Sequence, residues 1–296
     1  MQGEIRLSHR TETDPFFIAG PAVISFSGGR TSAYTLRRIL DAHGGKLPEN
    51  VLVCFQNTGR EMPATLDFVE ACAVNWGASV VWLEYRRDPI TGKTTSVLVS
   101  HNSASRAGEP FTQMLAGKKM LPNPVMKFCT TELKVRALKR WLMGEVGWTH
   151  WTNIVGLRAD EPTRVAKNLT RKPERWQVLC PLATAGVTKI DVLRFWKRQP
   201  FDLNLAGTWE GNCDGCFLKS RGGIDRMLVD HPERMKWWAK AEGTFASSVR
   251  TAPAMNLFRA DRPSYAAMTQ VVRDQGVLPM TWLEEAMPCT SGGCGI

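Results

Sequence analysis

Three polar stretches and one cysteine pair hold the residue types that could do chemistry. SFSGGRTS (25–32) joins an apolar run to a helical one through two glycines and small hydroxyls. A strand that ends in Ser-Gly-Gly and feeds a helix presents backbone N–H groups and the positive end of the helix dipole, a combination that binds phosphate. The spacing is neither GxxxxGK[ST] nor GxGxxG. A tight turn that needs glycine only for its backbone angles is the plainer alternative. NTGRE (57–61) and GLRADEPTR (156–164) each follow a further apolar run. Three polar loops are therefore expected on one sheet edge, where ligands of open α/β sheets bind.

The thiols form a second group. Cys213 and Cys216 make a C-x-x-C pair in NCDGC, so two thiolates could face one metal, with a redox dithiol or chance spacing as alternatives. Cys129 is expected to open a helix and Cys180 to end a strand. Four thiolates from Cys129, Cys180, Cys213 and Cys216 would satisfy either a [4Fe–4S] cluster or a zinc ion. Cys54 and Cys72 fall in apolar runs and read as small core residues. Cys289 and Cys294 lie in the Gly-rich tail PCTSGGCGI (288–296) and are candidate catalytic thiols on a mobile arm, or inert tail residues.

The elements that must position these groups follow from periodicity. AVISFS (22–27), NVLVCFQ (50–56), SVVWLEY (79–85), WTNIVGL (151–157) and WQVLCPL (176–182) read as strands, with helices from about Ser32, about Ala64, Thr131 and Lys189. That alternation argues for parallel βαβ units. The expected fold class is α/β, a mostly parallel five-stranded sheet flanked by helices, over residues 1–210. Residues 211–296 are expected to form a helical C-terminal lobe, with helical pieces around Met227, Trp237, Met268 and Trp282. The basic, Gly- and Pro-bearing stretch 103–128 reads as a lid or an ordered surface excursion.

Composition sets the class. The chain has 296 residues, 43% hydrophobic and 22% charged, which excludes disorder and collagen-like repeats. Lys plus Arg is 38 against 28 for Asp plus Glu, a formal charge of +10 that favours a polyanionic partner. No leader pattern and no apolar run of about 18 residues is visible, so the expectation is a soluble, cytoplasmic protein with no membrane association. Eight cysteines in such a chain point to metal ligands or redox thiols. RMKWWAKAEG (234–243) interleaves Trp with basic residues, which suits nucleic-acid stacking, although a helix with a buried aromatic face is the better default.

SFSGGRTS, NTGREMPAT (57–65), KFCTTELKVRAL (127–138) and GLRADEPTR occur in the order found in a known group. Through them the chain resembles the phosphoadenosine phosphosulfate reductase-like branch of the adenine-nucleotide alpha-hydrolase (PP-loop) superfamily, over roughly Ala22 to Cys216. The resemblance implies a nucleotide's phosphates held around Ser25, Ser27, Gly28, Gly29, Arg30, Thr31 and Ser32. It places Asn57, Thr58 and Gly59 near the adenosine, with Glu61 close by. Gly156 and the basic residues Lys134, Arg136, Arg158 and Arg164 would face the phosphate or sulfate end. Glu61, Asp160 or Glu161 could supply a carboxylate to magnesium. The resemblance also favours the iron–sulfur cluster over zinc.

Two departures bear on the reaction. Members that cleave ATP usually carry Asp where this chain has Thr31, which favours a sulfonucleotide over magnesium-bound ATP. The Glu-Cys-Gly-Leu-His ending of the sulfonucleotide reductases is absent. The leading expectation is therefore an adenine-nucleotide enzyme of sulfur metabolism that reduces a sulfonucleotide to sulfite, aided by a thiol reductant. An ATP-dependent sulfurtransferase, served by a sulfur-donor protein and thiolating a nucleic acid or small molecule, is the alternative. A non-catalytic nucleic-acid-binding accessory protein is the third reading.

Overall fold

The structure, a computed structural model, describes residues 14–170, 174–246 and 257–275. One sheet of six strands runs through it, in the order β4-β3-β2-β1-β5-β6. The strands are β1 (Ala22–Ser25), β2 (Val51–Asn57), β3 (Val80–Arg87), β4 (Thr94–Val99), β5 (Trp151–Ile154) and β6 (Trp176–Leu179). All neighbours are parallel except β3 and β4. The five expected strands are present, and the sixth, β4, corrects the five-strand count. Its sequence, TTSVLV, forms an edge strand with no fully buried residue, and it lacks the long apolar run that marks the other strands.

Strand order reverses at β1, which has β2 on one side and β5 on the other. The carboxyl ends of β1 and β5 therefore diverge into their loops at a switch point, the usual ligand position in such sheets. Three helices follow the first strands: α1 (Arg30–Ala42), α2 (Pro63–Trp76) and α3 (Glu109–Lys118). α2 begins on proline and ends at Gly77 in the left-handed conformation, the standard punctuation of a helix. The segment expected as one helix from Thr131 is a composite. It has a first turn α4 (Phe128–Thr130), a π-helical stretch Thr131–Val135, and α5 (Arg136–Gly144).

α6 (Pro162–Leu169), α7 (Pro181–Thr184) and α8 (Lys189–Trp196) complete the sheet region. α7 shortens the strand expected over 176–182, because Pro181 has no N–H for a ladder and starts a helix instead. α8 opens with a capping box in which Thr188 and Asp191 satisfy each other's ends. α9 (Arg221–Asp230), α10 (Pro232–Ala246) and α11 (Tyr265–Gln275) form the expected C-terminal helices. Trp282, Cys289 and Cys294 lie outside the described residues.

The core has two main parts. One packs α1, α2 and α8 onto β1 and β2 through residues such as Ile24, Phe26, Leu36, Phe55, Leu66 and Trp196. The other joins Met62, Tyr85, Phe111 and Leu133 to Cys216, Phe217, Met227, Trp238 and Tyr265. The C-terminal helices thus share a core with α3 and the π-helical stretch. The 103–128 excursion is ordered, with Phe111, Met114, Leu115 and Leu121 buried in this second core. Among the described residues no helix is long and apolar enough to cross a membrane.

Candidate functional site

The first loop builds half of the site. Gly28 has φ +76°, and a Cβ there would stand 2.6 Å from the Thr65 methyl, so only glycine lets the chain turn this tightly against α2. Gly29 then caps α1 with no side-chain hydrogen bond, and the first turn of α1 holds no acidic residue. The N–H groups and positive dipole of that turn stay available to an anion. Ser27 donates to Ser32 at 3.0 Å, and Ser32 donates to the Gly29 carbonyl at 2.9 Å, which fixes the loop's shape.

The loop after β5 builds the other half. A Cβ on Gly156 would meet Thr35 Oγ1 at 2.8 Å and the Ser32 Cα at 3.2 Å, so glycine lets this loop lie directly on α1. Together the loops enclose a cavity of about 220 Å³ whose walls include Ser25, Ser27, Gly29, Arg30, Thr31, Ser32, Gln56, Lys134, Gly156, Arg158, Glu161 and Arg164. Ten of these twelve match sequence-based candidates in the first or last loop, Lys134 reaches in from the π-helical stretch, and Gln56 was not expected.

The charges in this cavity are already partly spoken for. Arg30 lies bidentate on Asp202, both contacts at 2.7 Å. Arg158 contacts Asp160 at 2.9 Å and Glu161 at 3.2 Å and donates to the Thr31 hydroxyl at 3.2 Å. Arg164 pairs with the other oxygen of Glu161. One carboxylate, Glu161, therefore bridges two guanidinium groups at the cavity wall.

The remaining candidates sit elsewhere. Arg136 pairs with Glu132 at 2.7 Å, its side chain is 56% exposed, and it is absent from the cavity wall. The i,i+4 spacing to Glu132 holds it on the opposite side of the helix from Lys134. Asn57 is used structurally, donating to Glu84 at 2.6 Å and to the Ser105 carbonyl at 2.8 Å while accepting from Gly59 N–H. Gly59 packs against Ser105 and Gly108 with φ +79°. Glu61 accepts from the Thr58 N–H and hydroxyl. Asn57, Gly59 and Glu61 thus shape the NTGRE loop beside the cavity, whereas Ser25 reaches its wall while donating to Asn153 at 2.8 Å.

The thiols divide three to one. Cys129, Cys213 and Cys216 line a second, smaller cavity of about 30 Å³ together with Thr58, Lys127 and Lys134. Lys134 belongs to both cavities, so the two adjoin. Cys180 packs apart, with Val155 and Leu157, and its thiol is pushed up to about 11 by burial, with the nearby Glu161 charge adding to the shift. It sits apart because the strand ends at Leu179 and Cys180 caps α7. Among the described residues no group of three or more Cys, His, Asp or Glu meets in an arrangement that could hold a metal. Cys129, Cys213 and Cys216 thus share one cavity wall, and Cys180 is not on it. Cys54 and Cys72 are fully buried core residues, as expected.

The C-x-x-C loop is locked to the NTGRE loop. Glu61 and Cys213 form an antiparallel bridge, the Asp214 N–H donates to the Arg60 carbonyl at 2.8 Å, and Thr58 Oγ1 lies 3.5 Å from Cys213 Sγ. Asp214, fully buried, accepts from Arg60 at 2.5 Å, Arg234 at 2.7 Å and Trp238 Nε1 at 2.7 Å. Burial lowers the Arg60 pKa, and the Asp214 charge opposes that. Trp238 is therefore a core anchor. Trp237, half-buried, donates to Thr112 at 3.1 Å.

Comparison with known proteins adds one relative. The chain is 33% identical over 212 residues to an uncharacterized nin region protein, ORF290, of Escherichia phage lambda, covering 70% of this chain and 69% of that protein. No family model matches the chain.

Proposed function

The chain belongs to the family of the phage lambda nin region protein ORF290, and from its site geometry we propose that it is an enzyme binding an adenine nucleotide at the switch-point cavity. The reading follows the resemblance to the phosphoadenosine phosphosulfate reductase-like branch. The observation that carries it is the adjacency of the two cavities. A basic, glycine-looped anion site and a group of three thiols share the side chain of Lys134.

In this reading the start of α1 and the Ser27 and Ser32 region hold phosphate oxygens, while Arg158 and Arg164 take the outer anionic end. Lys134 supplies positive charge between that end and the thiols. Cys213 is half-exposed and close enough to Arg60 for their charges to interact, and in this reading it is a candidate nucleophile. Sulfonucleotide reduction to sulfite is the favoured reaction, because Thr31 provides no carboxylate for a nucleotide-bound magnesium. The tail thiols Cys289 and Cys294 are the other candidate nucleophiles.

ATP-dependent sulfur transfer is the second reading, favoured by three thiols gathered at one cavity. A metal or cluster would be held by Cys129, Cys213 and Cys216 at the second cavity. No step of the proposal passes through one. The accessory nucleic-acid reading loses one of its supports, because Trp238 is buried.

The test is incubation of anaerobically purified protein with ATP and, separately, with phosphoadenosine phosphosulfate plus a dithiol reductant. Sulfite release with the sulfonucleotide alone supports reduction. Pyrophosphate or AMP release from ATP supports the second reading. Iron, sulfide and zinc analysis of the same preparation reads out any metal.

A further inference from the structure

Gln56 is the penultimate residue of β2 and ends the apolar run VLVCF. Strand alternation puts its side chain on the same face as Cys54, which packs with Val23, Leu83 and Leu138 beneath α5. The side chain is only 4% exposed and forms part of the switch-point cavity wall. Its amide nitrogen is fully buried and has no hydrogen-bond partner. Neighbouring polar groups are engaged with one another: Ser25 with Asn153, and Ser27 with Ser32.

A buried donor without an acceptor is costly, and native proteins rarely leave one except where something else supplies the partner. Position identifies that partner. The charged donors of the cavity, Arg158 and Arg164, lie at its more exposed end, with side chains 18% and 34% exposed, and suit anionic oxygens. Gln56, 4% exposed, is a neutral, directional donor in the same cavity wall. A carboxamide discriminates by hydrogen bonding, and it suits a neutral acceptor such as a sugar hydroxyl or a base nitrogen.

We infer that Gln56 is a specificity-determining residue whose side-chain N–H donates to the nucleoside portion of the bound nucleotide, leaving the phosphates to the loops and arginines. This rests on the nucleotide reading above and adds to it a residue that discriminates a nucleotide from a bare polyphosphate.

The test compares wild type with Gln56→Met, which keeps the side chain's length and removes its polarity. Affinities for ATP and for tripolyphosphate are measured by calorimetry, with the melting temperature of the ligand-free protein alongside. The expected result is ATP binding weakened about five- to tenfold, the value of one neutral hydrogen bond. Tripolyphosphate binding should be unchanged, and the ligand-free protein should melt no lower than wild type. Equal losses for both ligands, no loss for either, or a lowered melting temperature would each overturn the inference while leaving the nucleotide reading in place. Failure of the wild type to bind ATP, tripolyphosphate and phosphoadenosine phosphosulfate alike would remove both.

Discussion

Arg158 donates to the Thr31 hydroxyl at 3.2 Å, closing the SFSGGRTS loop onto a loop 127 residues further along the chain. Threonine adds no charge beside a guanidinium that already contacts Asp160 and Glu161. Thr31→Asp should pair with Arg158 and lower the positive potential of the cavity. Tripolyphosphate affinity without metal is expected to fall about tenfold, and magnesium should restore part of it. Calorimetry with and without magnesium checks this, and equal affinity in the two proteins would show that Thr31 does not tune the site.

Glu161 contacts both Arg158 and Arg164 from one carboxylate that is 12% exposed. It occupies the arginine pair as an incoming anion would. Glu161→Gln should free both guanidinium groups and tighten tripolyphosphate binding about three- to tenfold. The ligand-free protein should melt a few degrees lower, because two cations lose a partly buried partner. The Cys180 thiol should also titrate below its present value of about 11, which ultraviolet thiolate absorbance over a pH series follows.

The elements around the site were legible wherever an apolar run or a helical period was strong. β4 escaped because it is an edge strand with no fully buried residue, stitched to α5 by Ser96 donating to the Ala137 carbonyl at 2.7 Å. Arg136 was misplaced for a local reason: its i,i+4 partner Glu132 was present in the sequence and outweighed its nearness to Lys134. Gln56 carried a faint signal, a polar residue ending a buried strand, but no single sequence tells whether such a residue is satisfied by a neighbour. The Arg60 and Asp214 pair was invisible, because contacts over 154 residues depend on tertiary structure.

Asp214 accepts from two arginines and a tryptophan with no exposure of its own. Asp214→Ala leaves Arg60 buried without its counter-ion and should cost about 3–5 kcal/mol. Asp214→Asn keeps one acceptor oxygen but loses the charge and turns the other oxygen into a donor facing N–H groups, so it should still destabilise, though less than alanine. Urea unfolding separates the two variants, and equal small losses would show that the network is dispensable.

Thiol reactivity follows burial. Cys54, Cys72 and Cys180 are buried and their thiol pKa values are raised by desolvation, which leaves almost no thiolate near pH 8. Cys129 and Cys213 are half-exposed. Among the described residues, brief iodoacetamide treatment of the native protein should label Cys213 and Cys129 first and spare the buried Cys54, Cys72, Cys180 and Cys216, as read by peptide mass mapping. Adding phosphoadenosine phosphosulfate should slow labelling of Cys213 if the two cavities work as one site.

Glu242 is buried in α10 and accepts from the Phe258 and Tyr265 N–H groups. Burial raises its pKa above the ordinary 4.5, and the two backbone bonds only partly oppose this. The sign of the linkage follows: the folded carboxyl holds its proton at pH values where the unfolded chain has lost it, so folding is favoured on the acid side. That contribution is complete below about pH 4.5 and is lost as pH rises through the folded value. Glu242→Gln stays neutral throughout and should therefore flatten the decline in stability with rising pH just above pH 4.5. Chemical denaturation at a series of pH values measures the slope, and an unchanged slope would show that Glu242 titrates as an ordinary carboxylate.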